Sequence, residues 1–331
     1  MSELKTNKIS TNDQNNVAID NALGLKSYDT AGRDALTSVA GDMIYNTTDS
    51  KPQFYNGSSW TDFTPATFET TSLVIAGGGG GGVQNGAGGG AGGYRNSYSS
   101  DTYSGRNGAI EKTVTTIKGT SYTVTVGSGG AAGSTGKGGD GNNSVFAKVT
   151  SIGGGGGARS DSSSNRDGND GGAGGGGASS GTTIGNKGLG TNGQGFDGGI
   201  GATDNTTYRY AGGGGGAGSG GSNANSGGAG GGGAGLSSSI TGSAVTRGVG
   251  GAGGVGSSSP GAANTGNGGG GGIFSPSAGS AGGSGIVILR WATADATIGA
   301  TRTGLTDGDV QTDGTDSYIV FTAGTGTISF S

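Results

Sequence analysis

Tyrosine and arginine residues are interleaved in polar segments of the chain, and these residue types are the best suited to contact chemistry. The first segment is YRNSYSSDTYSGR. Its candidate binding residues are Tyr94, Arg95, Tyr98, Tyr103 and Arg106. Tyrosine offers a large ring and a hydroxyl at low entropic cost, and arginine binds phosphate or carboxylate through a planar fork. We therefore interpret this segment as a binding loop.

The same chemistry recurs further along the chain. Tyr208, Arg209 and Tyr210 are consecutive, and Arg159 and Arg166 lie in another polar stretch. Exposed tyrosine and arginine are typical of contact surfaces. The alternative is that these tyrosines pack over the sides of a glycine-rich body and shield it, and the sequence alone leaves both interpretations open.

The composition excludes the commonest catalytic devices. The chain has no cysteine and no histidine, so it lacks thiolate ligands and the usual general base. Its scattered serine and aspartate residues form no recognisable nucleophile and base pair. We therefore expect a protein that is not an enzyme.

No cofactor or metal is expected either. GLGTNG, residues 188–193, matches a dinucleotide fingerprint, but no predicted strand precedes it and no helix follows it. The acidic residues of 307–316 are typical of turns that carry solvated carboxylates. Both patterns are therefore assigned to loops.

The net charge and the hydropathy of the chain limit the classes of partner that we expect. The formal net charge is −4 and no basic run is present, which disfavours nucleic acid. The polar N-terminus lacks the apolar core of a signal peptide, and no window approaches the roughly 18 apolar residues of a membrane span. We expect a soluble protein without membrane insertion or general secretory export.

Glycine dominates the middle of the chain. Of 331 residues 87 are glycine, and nearly all of that excess lies between residues 77 and 285. Polyglycine helices with three residues per turn make no internal hydrogen bonds, and without side chains they can approach closely and bond to one another. The prediction is a mainly β protein plus a polyglycine-II helix bundle, in preference to a flexible linker.

Three regions follow from the distribution of bulky residues. Residues 1–70 form an N-terminal β region for oligomerisation or attachment. Residues 71–285 form the glycine-rich bundle, with an inserted β-hairpin at 109–126. Residues 286–331 form a C-terminal β cap, which begins with the buried strand IVILRW.

The glycine tracts are separated by polar connections of unequal length. If consecutive tracts are antiparallel, the three longest connections, 158–170, 202–211 and 236–247, lie at one end. The strands at 144–152 and 286–291 then lie at the other end. A further turn hidden in the long tract 185–201 would shift this alternation by one.

Blocks that flank the tracts resemble the glycine-rich domain of bacteriophage tail fibres and tail-fibre adhesins. The blocks that carry the resemblance are SLVIAGGGGGG, SYTVTVGSGG, GNNSVFAKVTSIGGGGGA, GGSGIVILRW and SYIVFTAGTGTISF. Their order covers about three-quarters of the chain, and residues 33–60 are similar to a segment common in phage fibre proteins. The resemblance implies a virion protein, assembled in the host cytoplasm, that recognises the host surface.

The resemblance also implies partners: a host surface glycan such as lipopolysaccharide or an outer-membrane protein, other phage tail proteins, and further copies in a homotrimer. Two alternatives remain. An ice-binding protein built on the same helices would need a flat, regular face of threonine or alanine, which the irregular connections disfavour. A bacterial extracellular filament subunit is the third class.

Overall fold

The computed structural model describes residues 24–63, 66–160, 165–203, 209–254, 258–273 and 277–331. Contacts between residues divide the chain into two units, Met1–Pro65 and Ala66–Ser331. The two units are described separately.

The first unit is a small four-stranded sheet with one short helix. Its elements are β1 (Ser27–Tyr28), α1 (Thr30–Asp34), β2 (Met43–Asn46), β3 (Lys51–Tyr55) and β4 (Trp60–Asp62). The strands are ordered β1-β2-β3-β4, with β1 parallel to β2 and the remaining pairs antiparallel. Gly57 adopts a φ of 98° in the tight turn between β3 and β4, a conformation that suits glycine.

The second unit contains sixteen strands among its described residues. These are β5 (Thr67–Ile75), β6 (Tyr94–Asn96), β7 (Val114–Ile117), β8 (Tyr122–Val126), β9 (Ser144–Phe146), β10 (Val149–Ser151), β11 (Ser179–Ser180), β12 (Thr183–Ile184), β13 (Ala202–Thr203), β14 (Arg209–Tyr210), β15 (Leu236–Ser238), β16 (Val245–Arg247), β17 (Ile286–Ala292), β18 (Leu305–Asp307), β19 (Gln311–Asp313) and β20 (Asp316–Ile328). A 3₁₀ turn covers Gly105–Asn107.

Ten of these strands form one sheet. Its main path is β10-β9-β8-β20-β17-β5-β6, with β18 and β19 on β20 and β7 on β5. The long strand β20 contains Gly324 at a φ of 94°. Its first half pairs with β17 and its second half with β8, so one strand serves two parts of the sheet.

Side chains nearly close this sheet into a barrel. The terminal strands β10 and β6 approach each other, and Arg95 Nη1 on β6 donates to the carbonyl of Thr150 on β10 at 3.3 Å. Ser151 Oγ donates to the carbonyl of Val74 at 2.6 Å, and Ser144 Oγ to that of Ile75 at 2.8 Å. Serine hydroxyls of β9 and β10 therefore tie these strands to β5, with which neither strand is paired.

Alternation along the strands creates two apolar layers. Val74 on β5 and Leu289 on β17 belong to the main core. Their neighbours Leu73 and Ile288 face the other way, into a second cluster with Tyr94 and other buried residues. Strand β17 is buried on both faces, and this explains why its sequence is a continuous apolar run.

The glycine segments run out from this sheet and are held to one another by backbone hydrogen bonds. The N–H groups of residues 77–82 go in rotation to three neighbouring segments. In order, their acceptors are the carbonyls of Asn142, Gly283, Gly90, Gly139, Ser280 and Ala87, at 2.8–3.0 Å. Each segment is thus bonded to several others at once.

These segments require glycine because their backbones approach one another closely. A Cβ added to Gly81 would lie 2.0 Å from the carbonyl oxygen of Gly270, and one added to Gly214 would lie 2.0 Å from that of Gly89. Neither position can accept even alanine without displacing a backbone.

The prediction of a polyglycine-II helix bundle is wrong. The structure is nearly all β, with 3% helix and 31% strand, around a nearly closed barrel-like sheet. The glycine segments are assigned neither helix nor strand, because successive N–H groups change partner and build no ladder. The regular architecture is set by the bulky residues that flank the tracts, which the prediction had divided among an N-terminal β region, an inserted hairpin and a C-terminal cap.

Two further expectations differ from the structure. Strands β17 and β20 lie in the middle of the ten-stranded sheet, paired with β5 and β8, so residues 286–331 are not a separate cap. The hairpin expected at 109–126 does not form, because β7 pairs with β5 while β8 pairs with β20 and β9.

The expected grouping of the long connections also fails. Ser160 Oγ donates to the Ser179 carbonyl at 2.6 Å, and Ser179 Oγ to the Ala202 carbonyl at 2.6 Å. The connections at 158–170 and 202–211 therefore both contact the shorter connection that contains Ser179. The connection 236–247 instead packs on the sheet through Ile240. Gln194 N donates to the Thr191 carbonyl in the turn hidden within 185–201.

Candidate functional site

The candidate residues fall into two groups at different places in the second unit. The first group, residues 94–106, begins with β6 and continues beside the sheet. The second group lies where glycine segments turn back, remote from the sheet. The glycine segment 77–82 leaves the sheet at the end of β5 and leads to the turn at Gln84, where the second group begins. The two groups are therefore considered separately.

Tyr94 and Arg95 are structural members of the sheet. The Tyr94 side chain is 0% exposed and packs in the second apolar cluster, so it presents no surface to a ligand. Burial raises the pKa of the Tyr94 hydroxyl. The Arg95 guanidinium pairs with Glu111 at 2.5 Å and bonds to β10, which commits it to the closure of the barrel.

Tyr98 and Tyr103 differ in their surroundings. The Arg290 guanidinium lies over the Tyr98 ring, 5.2 Å from its centroid, within the range of a cation–π contact. Tyr98 also packs against the second apolar cluster. Tyr103 is 47% exposed, and is the tyrosine of this group with the most surface available for contact.

Arg106 is held by a network of side chains that are distant from it in sequence. Its Nη1 atom lies 3.0 Å from Asp197 Oδ1, and its guanidinium lies 5.3 Å from the centroid of the Phe196 ring. Lys187 Nζ is 3.0 Å from the other Asp197 oxygen. The backbone of Arg106 has a φ of 57°, which is costly for a residue with a Cβ. The network fixes this conformation.

The electrostatics at Asp197 favour the ionised form. Burial alone would raise the pKa of this carboxyl. The Gly190 N–H, the Lys187 ammonium and the Arg106 guanidinium outweigh burial and lower the pKa of Asp197 to about 2. Asp197 is therefore a charged anchor for the 94–106 segment at neutral pH.

The second group lies on what we call the distal loop surface: Gln84, Arg159, Ser179–Ile184, Ala202–Thr203 and Arg209–Tyr210. Arg159 Nη2 donates to Gln84 Oε1 at 2.9 Å, and Arg159 Nη1 to the carbonyl of Thr135. Gln84 occupies the turn between two glycine segments, since Gly82 N bonds to the Ala87 carbonyl. These contacts place Arg159 at the end remote from the sheet.

The hairpins β11–β12 and β13–β14 share that end through the serine contacts already described. Arg209 is exposed and Tyr210 is half-buried on β14, and Ile184 on β12 is 47% exposed. Arg166 is half-buried, and its carbonyl accepts from Ala178 N at 2.8 Å. Tyr208 lies outside the described residues.

Several residues of these networks had no signal in the sequence. Glu111, Asp197 and Arg290 each pair across 16 to 91 positions. Asp197 is flanked by glycines in GFDGG and looks like a loop carboxylate. Nothing local indicates that it pairs with Arg106, because the pairing depends on how the glycine segments fold back.

The described residues offer no cluster of three or more histidine, cysteine, aspartate or glutamate side chains that could hold a metal ion. Within the same residues, no helix has the length and hydropathy to cross a membrane. The chemistry available at both groups is that of surface contact through arginine, tyrosine and apolar side chains.

The fold and these surfaces define a β protein with long hydrogen-bonded glycine segments. A family model described as a glycine-rich domain matches residues 55–292. The match covers well over half of the chain, and the chain therefore belongs to the glycine-rich domain family. Searches of the curated proteins and of the solved structures gave no match.

Proposed function

We propose that this chain is a bacteriophage tail-fibre or adhesin subunit that recognises the host cell surface through its distal loop surface. The observation that carries the proposal is that most positions in the glycine segments have no room for a side chain. Within the glycine segments an added Cβ meets another backbone, as at Gly81 and Gly214. Variation in side chains is therefore confined to the connections, which is the distribution that a recognition protein on a constant support requires.

The chemistry of the distal loop surface supports contact with a glycan or a protein. Arg209 is exposed and suits phosphate or carboxylate groups. Ile184 adds exposed apolar area beside polar hairpin backbone. Lipopolysaccharide and outer-membrane proteins both present such mixtures of charge and apolar surface, and they are the proposed partners.

The remaining elements of the proposal rest on the resemblance to phage fibres. The protein is a virion component, assembled in the host cytoplasm, that acts with other tail proteins as a homotrimer. It is a binding protein and not an enzyme, with no cofactor, no nucleic-acid partner and no membrane insertion. The first unit would carry attachment or oligomerisation.

The test is binding of fluorescently labelled protein to a panel of Gram-negative strains that includes mutants with truncated lipopolysaccharide. The expected result is decoration of particular strains and inhibition of phage adsorption to them. Purified lipopolysaccharide and protease-treated outer-membrane vesicles, used as competitors, distinguish glycan from protein receptors. Absence of binding to every strain, together with inhibition of ice growth, would overturn the proposal in favour of an ice-binding protein.

A further inference from the structure

Arg247 is a buried arginine that has no counter-charge among the described residues. It ends β16 and is only 8% exposed. Its Nη1 atom is fully buried and has no hydrogen-bond partner, and no carboxylate among the described residues pairs with it. Arginine stays protonated in proteins, and an uncompensated buried charge is strongly destabilising. Within the described part of the chain, no negative group pairs with this charge.

A second unsatisfied donor lies next to it. Tyr94 Oη is also buried without a hydrogen-bond partner, and the charge of Arg247 acts on it. Gly248 follows Arg247 directly, and a Cβ there would lie 3.5 Å from the Tyr94 ring. Ser238 is close to Tyr94, but no hydrogen bond of good geometry joins them.

The nearby carboxylates are committed elsewhere. Asp101 accepts from Ser239 N at 3.0 Å and from Asn96 Nδ2 at 2.9 Å. Asp313 pairs with Arg290 at 2.8 Å. Neither carboxylate forms an ion pair with Arg247, and among the described residues its Nη1 donor is left without an acceptor.

We propose that Arg247 and Tyr94 bind one small inorganic anion of the size of chloride. Arg247 Nη1 and Tyr94 Oη are the donors, and the guanidinium supplies the charge. A water molecule would satisfy the donors but would leave that charge uncompensated. The bound anion joins the β15–β16 hairpin to β6, independently of any receptor.

The first test is urea unfolding of the full chain in sodium chloride and in sodium gluconate at equal ionic strength. Above the dissociation constant, each tenfold increase in chloride should raise the folded-to-unfolded ratio about tenfold, because only the folded chain binds the ion. Arg247→Met should abolish the difference between the salts. Arg209→Met, which removes an exposed arginine, should keep it, and Tyr94→Phe should weaken it. Equal stability of the wild-type chain in both salts would overturn the proposal.

The second test does not depend on the variants folding. Crystals of the wild-type chain soaked in sodium bromide should show an anomalous peak within hydrogen-bonding distance of Arg247 Nη1. Peaks at surface positions alone would mean an adventitious ion only and would contradict the site.

Discussion

Arg290 Nη1 donates to the carbonyl of Ile240, 3.0 Å away, and this bond ties the β15–β16 hairpin to the outer face of β17. The same guanidinium pairs with Asp313 and Asp316, each at 2.8 Å. One arginine therefore fastens a glycine-segment connection and the β19–β20 turn to the middle of the sheet.

Replacement of Arg290 by methionine should destabilise the chain by roughly 2–4 kcal/mol, because it leaves a buried carbonyl and two carboxylates without their donor. Urea unfolding measures this loss. Lys187→Met is the matched control: that lysine is partly exposed, and Asp197 keeps Arg106, so the cost should stay below about 1 kcal/mol. Equal effects of the two substitutions would contradict the role assigned to Arg290.

Gly81→Ala should cost at least about 3 kcal/mol, since the new methyl group would lie 2.0 Å from a carbonyl oxygen and backbone on both sides would have to move. Thermal unfolding followed by circular dichroism checks this. At Gly136 no atom lies within 4 Å of an added Cβ. Gly136→Ala should therefore be neutral, or stabilising by about 0.4–1 kcal/mol. A benign Gly81→Ala would disprove the steric account of the glycine segments.

The lowered pKa of Asp197 predicts a defined pH dependence. Its folded value of about 2 lies below the value of about 4 for an unfolded aspartate. The ionised carboxylate thus stabilises the folded chain fully above about pH 4, and this contribution is lost as the pH falls through 2. Asp197→Asn should be destabilising at pH 7, by an amount that shrinks toward pH 2. A difference from wild type that is independent of pH in urea unfolding would rule out this linkage.

Arg209→Ala should weaken binding to a susceptible strain roughly five- to thirtyfold, the range of a truncated arginine contact. Flow cytometry with the labelled protein gives the apparent affinity. Tyr103→Ala is the control, because Tyr103 is exposed but belongs to the group beside the sheet. Loss of binding in Tyr103→Ala alone would transfer recognition to that group.

The sequence predicted local features better than their assembly. A run of apolar residues identified the strand that begins at Ile286, because a strand that is buried on both faces has a continuous apolar sequence. Nothing in the runs shows that β7 and β8 choose different partners. Pairing depends on long-range register, which a hairpin rule does not capture.

The candidate site shows the same limit. Tyr94 and Tyr103 stand in one polar-looking segment, yet one is fully buried and the other exposed. The difference arises from β6, whose three residues pair with β5 and place Tyr94 in the second apolar cluster. Arg95 and Arg106 likewise found acidic partners that are distant in sequence. Residue type alone therefore indicated contact chemistry without distinguishing a receptor from the protein's own interior.

The rotation of N–H groups among three neighbours has a consequence for how the chain reaches its native state. Residues 77–82 bond to segments that include residues as distant as Gly283, so two adjacent segments alone satisfy only part of their donors. No small early unit can gain the stability of the whole, whereas each long loop must be closed at an entropic cost. Folding of the second unit should therefore be slow and collective, as for other topologies dominated by distant contacts. The last segments to arrive complete the bonding of the first.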